Sequence, residues 1–299
     1  AGYADVQELH DAGLDAQRKS QRSRHGVRWT AGLYGRRGVT MMVEGIACGD
    51  CVELMASLDA ECVDLVVTSP PYFNAREYAN WTTYANYLDW CAAWITQAAR
   101  ILRPGRMLCI NSSSVIEART SRGERSSRFN IPADLWNVCS NAGLWFAEEI
   151  VWEKPEGAAI NRSQRFSVDR HPMQWRANAN TERILVCQKP ADMLNDEIIK
   201  AQNTQHRITG NFDRGEVWRI NPEQSGLHPA AFPLELPAKL IRYYSWPGEV
   251  VADPFSGSGT TAKAAKEQGR RFWGAELHPE YCAIAERRIA QQALDLESA

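Results

Sequence analysis

The sequence lacks the long apolar segments that mark membrane-spanning and exported proteins. Its 299 residues contain no run of ~18 apolar residues, the length that crosses a bilayer. The N-terminal stretch also lacks the apolar core of a signal peptide. With 44% hydrophobic and 23% charged residues, the composition is that of a folded globular protein. We therefore expect no membrane attachment and a cytoplasmic location.

The cysteine pattern lacks the second pair that a zinc site needs. The chain has eight cysteines, and Cys48 and Cys51 form an isolated C-x-x-C. Structural zinc sites in proteins take four ligands, so one pair is insufficient. We expect these residues to be small buried hydrophobes with reduced thiols, and we expect no metal cofactor.

An excess of one charge is also missing, because the formal net charge is only −2. Basic residues are nevertheless concentrated in three segments: Arg18, Lys19, Arg22, Arg24, Arg28, Arg36 and Arg37; Arg119, Arg122, Arg125 and Arg128; Arg162, Arg165, Arg170 and Arg176. Local basic clusters suit a polyanionic partner such as nucleic acid. For any one cluster alone a solvated surface is the favoured explanation, but three such clusters in one nearly neutral chain make nucleic acid an equal alternative.

Apolar periodicity predicts strands alternating with helices along most of the chain. Predicted strands lie at 64–67, 106–111, 147–152, 183–188, 217–220, 249–252 and 271–275. Predicted helices lie at 51–58, 87–102, 132–141 and 234–245, and others begin at 262 and 280. This alternation indicates an α/β fold, a Rossmann-like doubly wound and mostly parallel sheet. We expect a basic N-terminal arm at 1–40 and one domain at 41–299.

A glycine-containing segment, Asp253–Thr261, follows the apolar strand 249–252 and precedes a helix. Ligands of open α/β sheets bind at the carboxyl ends of strands, where Asp253 would lie. The segment matches neither G-x-G-x-x-G nor a phosphate-binding loop that ends in Gly-Lys-Ser/Thr. It therefore predicts a site for a nucleoside-like ligand without a phosphate chain.

A second segment, Ser69-Pro70-Pro71-Tyr72, ends the predicted strand at 64–67. Two prolines stop both strand and helix and fix a rigid turn. With Asp253–Thr261 later in the chain, the tetrad resembles that of bacterial DNA amino-methyltransferases of the β arrangement, over roughly residues 44–290. The resemblance implies a circularly permuted methyltransferase fold. It also implies methyl transfer from S-adenosylmethionine to the exocyclic amine of adenine or cytosine.

The tetrad suits that chemistry because an exocyclic base amine is a weak nucleophile. Ser69 Oγ and the Pro70 carbonyl can accept its two hydrogens, and Pro71 helps to hold that carbonyl rigidly. Tyr72 offers a face on which a flipped base stacks. A proline-stopped strand with a packed tyrosine is the purely structural alternative.

The resemblance also implies the residues that bind the cofactor. The loop contributes Asp253, Pro254, Phe255, Ser256, Gly257, Ser258, Gly259, Thr260 and Thr261, and Ser69 lies beside it. Glu276 is expected to bind the ribose hydroxyls. Asp50 corresponds to a position near the adenine, or is only a helix cap. His228 and Phe232 belong to a segment that lines the methionine end.

The partner implied by the resemblance is duplex DNA. Residues 155–226 take the place of the family's target-recognition region, and seven arginines there and nearby are candidate DNA contacts: Arg119, Arg122, Arg125, Arg162, Arg165, Arg170 and Arg176. They could read base edges or bind phosphates. We also expect a homodimer, a location at the nucleoid, and either a cognate restriction enzyme or an orphan enzyme. The segment Trp81–Trp94 could supply dimer contacts or core packing.

Two cues to the target base conflict. Serine at the first tetrad position favours cytosine N4, whereas the β arrangement favours adenine N6, which we expect. The absence of a Pro-Cys dipeptide argues against methylation of a cytosine ring carbon. Alternatives are a methyltransferase-like protein that only binds DNA, and an enzyme for RNA or a glutamine side chain.

Overall fold

An eight-stranded sheet forms the centre of the protein. The computed structural model describes residues 44–73, 81–117, 127–155, 179–191, 203, 205–223 and 232–297. All of them belong to one unit, Thr40–Ala299. The predicted arm at 1–40 lies outside the described residues.

The described strands are β1 (Gly45–Cys48), β2 (Val63–Thr68), β3 (Leu102–Ser112), β4 (Val115–Ile116), β5 (Arg128–Phe129), β6 (Trp145–Glu153), β7 (Thr181–Gln188), β8 (Val217–Arg219), β9 (Val250–Asp253) and β10 (Arg271–Glu276). The main sheet has the order β1-β10-β9-β2-β3-β7-β6-β8. Its first five strands are parallel, and β7 runs antiparallel between β3 and β6. Strands β4 and β5 form a separate antiparallel pair.

The described helices are α1 (Cys51–Ala56), α2 (Tyr84–Ile101), α3 (Ile131–Asn141), α4 (Glu235–Tyr244), α5 (Thr260–Glu267) and α6 (Pro279–Glu297). Helices α1, α2 and α3 contribute to one apolar cluster, which includes Met55, Trp94 and Leu135. Helices α4, α5 and α6 contribute to a second, which includes Leu240 and Ile289. Because parallel sheets need cover on both faces, this arrangement confirms the predicted doubly wound, mostly parallel fold.

Two strands of the main sheet lie within the range 155–226. Strand β7 is a central strand, and β8 lies at the edge beside β6. Residues 156–178, 192–202 and 224–231 lie outside the described part of the chain. The target-recognition role of this region stays a prediction, and its strands belong to the scaffold. The sequence also did not indicate β1, because four residues are too few to show a period.

Buried charges join three strands at the amino-terminal edge of the sheet. Asp64 pairs with Arg103 and accepts a hydrogen bond from Val250 N at 2.9 Å. Arg106 lies 2.5 Å from the carboxylate of Glu249. Since these residues come from β2, from β3 and from the start of β9, the cluster holds the sheet together at the edge away from both predicted motifs.

Two further expectations concerned the cysteines and membrane-spanning helices, and the described residues bear on both. All eight cysteines are free thiols, and six of them are buried. Cys48 is exposed, so it departs from the expected buried position. No helix in the described ranges is both long and apolar enough to cross a membrane.

Candidate active site

Four neighbouring strands end side by side at the carboxyl edge of the sheet. Cys48 of β1 is in register with Glu276 of β10, and Asp253 of β9 is in register with Gly274 of β10. Strand β2 pairs with β9 and leads directly into Ser69. The sheet order therefore brings both predicted motifs to one edge although they are far apart in sequence.

The carboxylate of Asp253 links the two motifs. Thr68 Oγ1 donates to its Oδ1 at 2.6 Å, and Thr261 Oγ1 donates to its Oδ2 at 2.7 Å. Phe255 N also donates to Oδ1, at 3.0 Å. Burial raises the pKa of Asp253 to about 6, although these three donors favour its charged form. The side chain thus fixes the cofactor loop to the residue that precedes the tetrad.

Glycines let the loop pack closely against its neighbours. Gly259 has φ +80°, and a Cβ there would lie 2.9 Å from Ala285 Cβ. A Cβ on Gly274 would lie 2.7 Å from Ser256 Oγ. The loop therefore sits directly on β10 and α6, in contacts that only glycine allows.

Glu276 is 9% exposed and holds the loop from the other side. Its Oε2 accepts from Gly257 N at 2.9 Å, and its Oε1 accepts from His278 N at 2.8 Å. A carboxylate has about four acceptor positions, so two remain for a ligand. The side chain is thus oriented by the backbone and still able to accept from a diol.

Asp50 is exposed and caps helix α1. Val52 N and Glu53 N donate to its Oδ1 at 2.8 and 3.2 Å. The cap is therefore observed. Both bonds use Oδ1, and within the described residues no hydrogen bond to Oδ2 is present, so the two predicted roles of Asp50 are compatible.

Three polar residues that the sequence analysis missed lie behind the tetrad. Tyr72 Oη donates to Glu182 Oε2 at 2.8 Å, and Asn111 Nδ2 donates to the same oxygen at 2.6 Å. Asn111 Nδ2 also lies 3.4 Å from Ser69 Oγ. Lys154 forms an ion pair with Glu182. Asn111 lies near the end of β3 and Glu182 near the start of β7. A polar residue near a strand terminus is a weak local signal, and it does not show that these side chains meet Tyr72.

Tryptophans of α2 pack against the cofactor loop. The ring centroid of Phe255 lies 5.4 Å from Trp90 and 5.3 Å from Trp94. Trp81 lies 4.8 Å from Trp90, and Trp94 is fully buried. The contacts of these rings agree with core packing. This is one of the two interpretations of Trp81–Trp94, and the other is dimer contacts.

The remaining predicted residues fall into three groups. Pro70, Pro254, Ser256, Ser258, Thr260 and Thr261 are buried, whereas Pro71 is half-buried. Phe232 is half-buried and packs on the apolar cluster of α4 to α6. His228 and the seven candidate arginines lie outside the described residues: Arg119, Arg122, Arg125, Arg162, Arg165, Arg170 and Arg176. Within the described ranges, no group of three or more His, Cys, Asp or Glu residues could hold a metal ion.

Comparison with known proteins decides the family. Residues 63–287 match the N6/N4 methyltransferase family, described as DNA methylase. The chain belongs to this family. The type II methyltransferase M.SmaI of Serratia marcescens is 30% identical, over 83% of this chain and 91% of its own length. The type II methyltransferase M.ScaI of Streptomyces caespitosus is 28% identical, over 83% of this chain and 82% of its own length.

Solved structures agree with the family. A putative DNA modification methylase from Thermus thermophilus, in complex with S-adenosyl-L-methionine, is 30% identical. It matches over 83% of this chain and 94% of its own, with a TM-score of 0.64. The cytosine-N4-specific PvuII DNA methyltransferase, 23% identical with a TM-score of 0.62, shows the same fold. This N6/N4 methyltransferase is thus a DNA amino-methyltransferase, and its cofactor is S-adenosylmethionine.

The described residues of this N6/N4 methyltransferase fit that cofactor. Ser256 Oγ is buried and has no hydrogen-bond partner within the described chain. An orphaned buried hydroxyl is costly unless a ligand satisfies it. Glu276 keeps acceptor positions nearby. The loop therefore offers the polar groups that a nucleoside methyl donor needs.

Proposed function

We propose that the enzyme methylates the exocyclic amine of a base that it flips out of duplex DNA. The observation that carries the proposal is the 2.6 Å bond from Thr68 to Asp253, which fixes the tetrad beside the cofactor loop. S-adenosylmethionine supplies an electrophilic methyl group. The residues of the chain bind the donor on one strand end and the acceptor amine on the next.

In this proposal the tetrad makes the amine nucleophilic. Ser69 Oγ and the Pro70 carbonyl accept the two amine hydrogens, which favours a tetrahedral nitrogen as the new bond forms. Both acceptors are fixed beforehand, since Pro70 is buried and Asn111 Nδ2 lies 3.4 Å from Ser69 Oγ. The half-buried Tyr72 provides the stacking face, worth about 1–3 kcal/mol per base.

On the cofactor side, Glu276 is proposed to bind the ribose diol and Ser256 a polar group of the cofactor. Asp50 is proposed to act near the adenine through its Oδ2. His228 and Phe232 remain proposed for the methionine end. Asp253 contributes by orienting the loop, because its carboxylate is occupied by Thr68, Thr261 and Phe255 N.

For the base, we propose N6 of adenine, with N4 of cytosine as the competing candidate. The order of tetrad and loop favours adenine by resemblance, whereas serine at the first tetrad position favours cytosine. The Ser69 hydroxyl can accept a hydrogen from either amine, so serine is compatible with an adenine target.

The test is methylation of unmodified duplex DNA with labelled S-adenosylmethionine, followed by mass spectrometry of the nucleosides. We expect N6-methyladenine. N4-methylcytosine alone would replace the adenine proposal by the cytosine one, and an absence of labelled nucleosides would overturn the proposed function.

A matched pair of serine variants tests the acceptor role of the tetrad. Ser69→Ala should lower the rate by about 10²-fold, as loss of one preorganised group does. Ser57→Ala serves as the control, because among the described residues the Ser57 hydroxyl donates to Leu54 O of helix α1, away from the tetrad. An unchanged rate in Ser69→Ala would remove Ser69 from the mechanism.

We also propose that the seven candidate arginines contact the duplex: Arg119, Arg122, Arg125, Arg162, Arg165, Arg170 and Arg176. Loss of a phosphate contact reduces the slope of log affinity against log salt by about 0.9, whereas loss of a base contact alters the preferred sequence. Single alanine variants, measured on cognate and random duplexes, separate the two roles. A homodimer and a cognate restriction enzyme remain proposals, which sedimentation and the neighbouring genes would test.

A further inference from the structure

A closed set of hydrogen bonds holds the hydroxyl of Tyr72. Tyr72 Oη donates to Glu182 Oε2 at 2.8 Å, and Asn111 Nδ2 donates to the same Glu182 oxygen at 2.6 Å. Asn111 Nδ2 also lies 3.3 Å from Tyr72 Oη. The phenol hydroxyl therefore has an acceptor and a donor within reach, and these two neighbours are bonded to each other.

Glu182 is anchored at its second oxygen as well. Lys154, just after β6, forms an ion pair with Oε1, and its Nζ lies 4.5 Å from the centre of the Trp152 ring. Trp152 is 3% exposed and donates from Nε1 to Ile220 O at 2.8 Å. Both oxygens of Glu182 thus meet side chains that the sheet holds in place, and sites built on strands are more precise than sites on loops.

A contribution to stability explains this cluster poorly. The side chains of Lys154 and Glu182 are only 18% and 14% exposed, and a buried ion pair adds little net stability because both partners lose their water. Asn111 Oδ1 is also buried without a hydrogen-bond partner in the described part of the chain. Natural proteins break such packing rules mainly at functional sites, and this cluster lies directly behind the tetrad.

The bonds at Oη fix the direction in which the Tyr72 ring points. The rigid Pro70-Pro71 turn restricts the backbone at one end of the side chain. Oη lies on the long axis of the ring, so its bonds hold the other end and prevent rotation about the Cα–Cβ bond. A base that stacks on this ring is then placed in one position, since aromatic rings stack with a defined offset.

We propose that Glu182 is a positioning residue of the methyl transfer, which acts through Tyr72 by holding the ring where the flipped base stacks. The inference rests on the proposed function, because it requires Tyr72 to be the stacking face. For this role Glu182 needs only to accept a hydrogen bond. A displaced ring moves the target amine away from the methyl group, so it lowers the rate of transfer more than the affinity for either substrate.

A matched pair of double variants isolates the hydrogen bond to Glu182. Glu182→Leu/Lys154→Met removes the acceptor, whereas Glu182→Gln/Lys154→Met keeps one, and both remove the ion pair. On plasmid DNA the leucine variant should have a single-turnover rate about 10–10²-fold below that of the glutamine variant, the range that small displacements of a bound substrate cost. Affinity for S-adenosylmethionine, measured by calorimetry, should be equal in the two variants and shows that both are folded.

A double-mutant cycle with Tyr72→Phe separates positioning from a general effect on the fold. This substitution keeps the ring and deletes the hydroxyl that Glu182 holds. In its background the two double variants should differ by no more than about twofold, because residues that act through one contact are not additive. The control background is Tyr244→Phe, which removes a bond of 2.5 Å to Glu148 outside the site and should leave the full difference.

Two results would overturn the positioning role. One is an equal rate for the leucine and glutamine variants, and the other is an undiminished difference between them in the Tyr72→Phe background. A wild-type enzyme that leaves DNA unmethylated would instead overturn the proposed function.

Discussion

The conformation and packing of the cofactor loop depend on the absence of a side chain at Gly259. Its φ of +80° costs a side chain about 1–2 kcal/mol, and its missing Cβ leaves room for Ala285. Gly269 shares the left-handed conformation, with φ +70°, but a Cβ there would meet nothing within 4 Å. The two glycines therefore separate backbone strain from steric contact.

Gly259→Ala should destabilise the protein by about 2–4 kcal/mol, because backbone strain and a clash with the Cβ and Cα of Ala285 act together. It should also weaken cofactor binding. Gly269→Ala should cost only about 1–2 kcal/mol and leave cofactor binding unchanged. Thermal unfolding and calorimetric titration of both variants test this. Equal destabilisation of the two would mean that the loop yields to the added methyl group.

At the scale of an element, helix α1 joins a structural cap to a proposed ligand contact. Asp50→Ala should cost about 1 kcal/mol, the usual loss of an N-cap, and should weaken cofactor binding. Asp50→Asn should preserve stability, since Asn caps helices as well, and should weaken binding if the charge is used. Unfolding midpoints and cofactor affinities of both variants check this. Undiminished affinity in both would leave Asp50 as a cap only.

Local patterns explain what the sequence could predict at this scale. Asp253–Thr261 and Ser69–Tyr72 are contiguous, so glycines, prolines and the preceding apolar strands located them correctly at strand ends. The amphipathic helices α2, α3 and α4 were predicted for the same reason. Their spacing is visible within a single segment of chain.

Asn111, Lys154 and Glu182 could not be found in that way. They lie on β3, just after β6, and on β7, and only the register between those strands brings them to Tyr72. Strand register depends on packing across the whole sheet, which no local pattern contains. The antiparallel direction of β7 was hidden for the same reason, since its apolar run fits either direction.

For the whole molecule, strand β9 links stability to pH at both edges of the sheet. Burial raises the pKa of Asp253 from 3.8 to about 6 at the carboxyl edge. Burial, and then the nearby Asp64, raises the pKa of Glu249 from 4.5 to about 7 at the amino edge. In both cases the folded state holds its proton more tightly than the unfolded state does.

The contribution of both groups to stability is therefore complete below about pH 4 and is lost as the pH rises to about 7. For each group, the difference between the pKa in the folded and in the unfolded state corresponds to about 3 kcal/mol. Urea unfolding between pH 4 and 7 should show a shallower decline in Asp253→Asn and in Glu249→Gln than in wild type. Parallel curves for all three proteins would contradict the pKa assignment.

The ion cluster of Asp64, Arg103, Arg106 and Glu249 has an evolutionary consequence. It joins β2, β3 and β9 at the edge opposite the tetrad and the cofactor loop. Substitutions in the loops proposed to contact DNA would remove none of these bonds. Exchange of one recognition sequence for another would therefore preserve this anchor of the sheet, and new specificities could arise on an unchanged scaffold.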